Sequence, residues 1–321
     1  MSTAKSAYIG FWLAIVTAVM WGVVPIAIKR VLPVMDPFTL SWYRFMISAI
    51  GLFLILKSKH QMPDMQLFKN QKFLIALAVA TVGLGGNFLF FSSALQYLTP
   101  TVSQVIGQIS VVLLMLFSTF VFKESLQRSQ IIGMVILISG LLLFFNRQLI
   151  EIFTRLTDYS FGVFLGVCGS TIWVAYGLMQ KILLRKLKSQ QILWLLYCLC
   201  TLFLLPIASP AQILNLSWGQ LLLLLFCGVN TLIAYGALAE AMNRWKVAQV
   251  SAIVTLTPLF TLLFSDIFAL LWPNTFDFPA LNFLGYLGAL VVVAGAMFAA
   301  AGKQVIEFYQ KKRMGSWANK C

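Results

Sequence analysis

The chain has 321 residues, 60% hydrophobic and only 10% charged, with a mean hydropathy of +0.91 and a formal charge of +14. A water-soluble domain carries roughly 25% charged residues, so this composition excludes an ordinary soluble protein. The basic residues are scattered through short connections and line no single face, which argues against nucleic acid as their partner.

Apolar runs long enough to cross a hydrocarbon core of about 30 Å recur along the sequence. The first, residues 8–28, is too long for a signal-peptide core and lacks a small-x-small cleavage site, so it reads as a retained helix. Further spans are predicted at 38–56, 73–97, 101–122 and 129–146, then at 161–182, 190–208, 218–242, 247–272 and 281–301. Ten helices with short connections follow, because only helices and closed barrels satisfy every backbone group in lipid and no barrel-type alternation is present. The basic residues after 302 predict an amphipathic extension lying on the membrane surface.

Orientation comes from the same connections. With ten crossings, 18 of the 23 Lys and Arg fall on one side, Lys29, Arg30, Arg147 and Arg155 fall on the other, and Arg44 lies within a helix. Basic loops stay in the cytoplasm, so both termini are expected there, in a multi-pass protein of a bacterial inner membrane.

The sequence also repeats. Aligning Trp21 with Trp173 brings Lys29 onto Lys181 and Trp42 onto Trp194. Ala94-Leu95 then matches Ala241-Met242, and the Gly133/Gly140 pair matches Gly288/Gly295. Residues 1–147 and 148–302 each hold five helices, an odd number, so the second unit must lie inverted relative to the first, with residues 303–321 as a cytoplasmic tail. Inverted repeats suit secondary transporters, whose halves rock about a site at their interface.

These residues carry a family resemblance. Ala94-Leu95 followed by Thr99-Pro100, then Lys123-Glu124-Ser125-Leu126 and Ile132-Gly133 with Gly140, resembles the drug/metabolite transporter superfamily and its EamA family. Trp21-Gly22, Arg44 and Pro258 fit the same pattern, and the resemblance covers residues 8–301. The second copy lacks a partner for Glu124, residues 272–279 look like an insertion, and Val111 stands opposite Pro258. The resemblance implies ten transmembrane helices, metabolite transport with export favoured, and a central cavity bounded by helices 1, 3, 4, 6, 8 and 9.

Polar side chains in mid-membrane are costly and need partners. Asn87 with Phe91, and Gln104 with Gln108, are each four residues apart and share a helix face. With Asn230 they read as a cavity lining, the alternative being interhelical hydrogen bonding. Trp173, Tyr176 and Gln180 form a stripe on helix 6, with Trp21 in the matching place on helix 1. Such rings can stack on flat solutes or hold a cation. Tyr235, Ser251 and Thr255 are further candidates.

Arg44 sits a few residues inside helix 2, where it could snorkel to the surface or anchor an anionic substrate. Glu240 can pair with Arg244 four residues on, and Asp266 lies near a helix end. With Pro25 and Pro258 as possible hinges, these are the coupling and gating candidates.

The lone His60 lies in a basic loop, and Cys168, Cys198, Cys200 and Cys227 fall in apolar runs without a zinc-type spacing. Neither a catalytic set nor a metal or other cofactor is implied. The expected partners are a small-molecule substrate and the bilayer, with monomer and homodimer both open. A non-transporting scaffold or sensor is the competing reading, under which Asn87, Gln108 and Trp173 would be dispensable.

Overall fold

Several helices begin where the sequence supplies a donor-satisfying cap. In α2 (Pro37–Ser58), Asp36 accepts hydrogen bonds from the amides of Phe38 and Thr39 at 2.8 and 3.0 Å, and Pro37 fills the first turn, where no amide is needed. Thr99-Pro100 opens α4 (Pro100–Gly107) in the same way. Thr157 with Ser160 starts α8 (Asp158–Leu183), and Ser217 with Gln220 starts α10 (Trp218–Arg244), as reciprocal capping boxes.

The computed structural model describes residues 3–123, 126–245, 247–273, 275–276 and 281–318. Its other helices are α1 (Thr3–Val31), α3 (Gln71–Tyr97), α5 (Ile109–Phe122), α6 (Arg128–Phe144) and α7 (Leu149–Thr154). They continue with α9 (Ser189–Leu204), α11 (Val247–Val254), α12 (Thr257–Leu271) and α13 (Phe283–Ala318). Two 3₁₀ turns, Met65–Lys69 and Pro210–Asn215, punctuate the connections, and no strand occurs among the described residues. Among the described residues, eight segments are long and apolar enough to cross a membrane, α4 with α5 and α11 with α12 each counting as one. The remaining two apolar helices, α6 and α9, are shorter, at 17 and 16 residues. Glu124 and Ser125 of the family pattern, Lys246, Lys320, Cys321 and most of the insertion's end at Asp277–Ala280 lie outside the described residues.

The backbone after residue 302, read from the sequence as an extension, is helical. It continues α13 without a break to Ala318. The segment is free of proline, so nothing in it interrupts the amide ladder of the span before it.

Helices pack chiefly in pairs: α6 with α13, α3 with α8, α1 with α10 and α2 with α9. Glycine sets the closest of these contacts. A Cβ at Gly83 would lie 2.5 Å from the Tyr176 amide nitrogen, so the α3 and α8 backbones touch there. On α6 and α13, Gly133 faces Ala299, Gly140 faces Val292, Gly288 faces Phe144 and Gly295 faces Leu137, each with backbone atoms too near for a side chain. Without a hydrophobic force between helices in lipid, such close van der Waals approach holds them together. Large apolar side chains such as Ile138, Leu142, Phe203, Leu222, Leu263 and Leu290 are exposed on the outside, as a lipid-facing surface requires.

Candidate functional site

A cavity of about 220 Å³ lies between the helices. Trp21 and Val24 reach it from α1, Arg44 from α2, and Asn87, Phe88 and Phe91 from α3. Ser103, Gln104, Gly107, Gln108, Ser110 and Val111 come from α4, α5 and the joint between them. Gly166, Gly169, Ser170 and Trp173 line it from α8, Tyr235 from α10, and Val254, Thr255 and Thr257 from α11, α12 and their joint.

Two long spans are interrupted at this cavity. The sequence predicts one unbroken helix over 101–122, yet α4 ends at Gly107 and α5 begins at Ile109. At the joint the hydrogen bonds tighten to the three-residue pattern, Gln108 N to Val105 O and Val111 N to Gln108 O. No proline announces this break. The predicted span 247–272 is likewise divided, and there Pro258 in the first turn of α12 gives the cause. Its missing amide would have met the Val254 carbonyl, which instead accepts the Thr257 hydroxyl at 2.6 Å.

Proline also accounts for Gln104. Pro25 lies inside α1 and cannot donate to the Trp21 carbonyl one turn back. The Gln104 side chain crosses from α4 and donates Nε2 to that carbonyl at 2.8 Å. Gln104 therefore bounds the cavity and also replaces a lost backbone donor. Asn87 Nδ2 similarly donates to the Gly169 carbonyl at 3.0 Å, tying α3 to α8.

Of the remaining expected residues, Trp21, Phe91, Gln108, Trp173 and Tyr235 line the cavity, and Trp21 and Tyr235 meet edge to face with ring centroids 5.1 Å apart. Tyr176 and Asn230 are not among the lining residues. Tyr176, only 2% exposed, is packed into the hydrophobic core, because Gly83 lets α3 close over its backbone. Trp173 and Tyr176 thus do not form one cavity-facing stripe. Asn230 is buried between α10 and α1 and donates Nδ2 to the Met20 carbonyl at 2.6 Å.

Arg44 does not snorkel. It is 5% exposed, donates from Nη2 to the Thr231 hydroxyl at 3.2 Å, and lays its guanidinium 4.3 Å from the centre of the Phe88 ring. Thr231 is held in turn by the Cys227 carbonyl at 2.9 Å. Its neighbour Ser48 secures α2 to α10 through the Gly228 carbonyl at 3.0 Å.

The other coupling and gating candidates lie away from the cavity. Glu240 accepts from Arg244 at 2.6 Å as a partly exposed pair. Asp266 is exposed and accepts from the Tyr286 hydroxyl at 3.3 Å. Pro25 and Pro258 shape the walls through the breaks just described and do not line it. Among the described residues no Asp or Glu lines the cavity, and no cluster of His, Cys, Asp and Glu could hold a metal.

The chemistry left over is unpaired. Six buried side-chain atoms lack a hydrogen-bond partner among the described residues, and three of them belong to cavity residues: Arg44 Nε, Ser103 Oγ and Gln108 Oε1. An unmade hydrogen bond in an apolar interior costs about 1–3 kcal/mol, so three of the cavity's residues each carry a polar atom whose burial is uncompensated within the protein.

An all-helical membrane chain with such a cavity between broken helices has the build of a membrane transporter. The sequence matches the EamA-like transporter family twice, over residues 8–146 and 160–300, and the chain belongs to that family. It is 57% identical to the Escherichia coli K12 uncharacterized inner membrane transporter YhbE over 94% of each chain. It is 44% identical to an uncharacterized transporter of Haemophilus influenzae, over 93% of this chain and 96% of that one. A probable amino-acid metabolite efflux pump of Salmonella typhimurium is 22% identical over 77% of this chain and 84% of its own length. A solved crystal structure at 17% identity shares the fold, with a TM-score of 0.62 over 93% of this chain and 96% of that one. The protein is a multi-pass inner membrane protein.

Proposed function

We propose that the protein is a secondary carrier, an exporter of small organic metabolites such as amino acids or related amphipathic solutes, working by alternating access around the cavity. The observation that carries this reading is a cavity walled by Trp21, Trp173 and Tyr235 and lined by three residues with a buried, unpartnered polar atom, Arg44, Ser103 and Gln108. At about 220 Å³ it falls below the roughly 300–1,000 Å³ of drug-sized pockets, which favours a small cargo. The amino-acid efflux relative points to the same class.

In this reading α6 and α9 also cross the membrane, giving ten spans in two inverted units, 1–147 and 148–302, with both termini and the 303–321 tail in the cytoplasm. The packing supports the arrangement: α3 against α8 and α1 against α10 are one contact with the units exchanged, while α6 with α13 and α2 with α9 exchange with themselves. The joints at Gln108 and Thr255, which correspond when Val111 is laid on Pro258, are the points where each unit bends as the cavity opens to one side and then the other.

The test is uptake and exchange of labelled metabolites in proteoliposomes, with wild type beside Gln108→Ala and Trp173→Ala. Saturable flux lost in both folded variants supports the carrier and its site. Saturable flux unaffected by either change refutes the site, and no flux of any solute refutes the carrier.

A further inference from the structure

Resting on that carrier reading, we infer that the cargo bears a carboxylate and that Arg44 recognises it. Arg44 is a fixed cation deep in an apolar protein, and among the described residues no carboxylate lies within ion-pair distance of it. The described acids lie elsewhere: Asp158 is exposed in the first turn of α8, and others are engaged. Asp36 and Asp64 cap helices, Glu151 accepts from Thr157, Glu240 holds Arg244 and Asp266 meets Tyr286. A buried guanidinium without a counter-charge is costly, and the protein compensates only in part, with the Thr231 hydroxyl on Nη2 and the Phe88 ring beneath the plane.

Arg44 is one of the cavity's lining residues, and Thr231 is the one hydrogen-bond partner of its guanidinium among the described residues. A guanidinium has five N–H donors in one plane, the hydroxyl of Thr231 takes one, and Nε is without a partner although buried. Two oxygens of a carboxylate match such a fork side by side. Thr231 and Phe88 fix the rotation of the plane, so the recognition is preorganised. Arg44 is the one Lys or Arg lining the cavity among the described residues; Lys29 on α1 spends its ammonium on the Leu95 and Gln96 carbonyls. One cation without a second suits a singly charged carboxylate better than a dianionic phosphate. Trp21, Tyr235 and Trp173 also line the cavity and offer aromatic rings to the remainder of the solute, including an ammonium group. Gln108 and Ser103 supply the polar contacts that orient it.

The experiment is counterflow in proteoliposomes with the L-amino acids, each beside its primary amide and its decarboxylated amine, for wild type, Arg44→Gln and Arg44→Lys. The expected result is saturable exchange of at least one acid, with its amide and amine exchanged at least about tenfold less well, as loss of a charged hydrogen bond dictates. Arg44→Gln should bring the acid down to the level of its amide, and Arg44→Lys should restore part of the preference. The wild-type ratio alone decides the matter if Arg44→Gln does not fold. Comparable exchange of acids and amides, or an unchanged preference in folded Arg44→Gln, overturns the carboxylate requirement and leaves the carrier standing. No saturable exchange in either series overturns the inference together with the carrier reading for this solute class.

Discussion

Gln104→Leu tests whether a proline on one helix has made a glutamine on another indispensable. The Trp21 carbonyl would ordinarily receive the amide of residue 25, but that residue is Pro25, and Gln104 Nε2 at 2.8 Å takes the amide's place. Leucine is close to glutamine in volume, so the substitution removes the donor without opening a large void. An orphaned carbonyl inside the bundle should then cost about 1–3 kcal/mol. In a Pro25→Ala background the new amide can complete the α1 ladder, and the same Gln104→Leu change should cost less than about 0.5 kcal/mol. The expected coupling is about 1–2 kcal/mol, measured as a double-mutant cycle from denaturant titrations of the purified protein in mixed micelles. Costs for the two changes that add within about 0.5 kcal/mol would refute the account of Gln104 as a replacement donor.

Gln108 should behave in the opposite way: Gln108→Leu removes a buried oxygen that has no partner, so stability should hold or rise by about 1 kcal/mol while saturable flux in proteoliposomes is lost. A variant that is destabilised and still transports would place Gln108 in the scaffold. Gly83→Ala puts a methyl 2.5 Å from the Tyr176 backbone nitrogen, forcing α3 and α8 apart at a cost of at least about 2–3 kcal/mol. The readout is the yield of monodisperse protein on size exclusion in detergent, and a wild-type yield would contradict the contact. Glu240→Gln breaks a partly exposed pair worth about 0.3–0.5 kcal/mol, so stability and flux under an imposed pH gradient should both stay near wild type. Loss of gradient-driven flux would instead make Glu240 a coupling site.

Much of the architecture was legible before any coordinates. Apolar runs of membrane-crossing length locate the long helices because lipid offers the backbone no other partner. The structure adds the caps at these starts, Asp36-Pro37, Thr99-Pro100 and Ser217 with Gln220, where the hydropathy of the runs had marked only approximate boundaries. Trp21, Asn87, Phe91, Gln104, Gln108, Trp173, Tyr176, Asn230 and Tyr235 stood out as polar or aromatic groups in apolar helices, and all but Tyr176 and Asn230 line the cavity.

What the sequence left undecided was the direction each side chain faces. In water, an amphipathic helix declares its buried side. In lipid, the side against the membrane and the side against a neighbouring helix are both apolar, so the pattern reveals depth and not azimuth. Arg44 could therefore be read as snorkelling outward until α10 placed Thr231 against it and α3 placed Phe88 beneath it. Tyr176 follows Trp173 by three residues, yet the approach permitted by Gly83 draws it into the core. The break at Gln108 has no proline to announce it, and the need for Gln104 arises only because α4 passes beside Pro25 on α1. Composition and local chemistry determined that this chain would cross the membrane repeatedly and where its helices begin. Only the packing of one helix against another decided which polar groups find partners within the protein and which cavity residues keep an unpartnered atom.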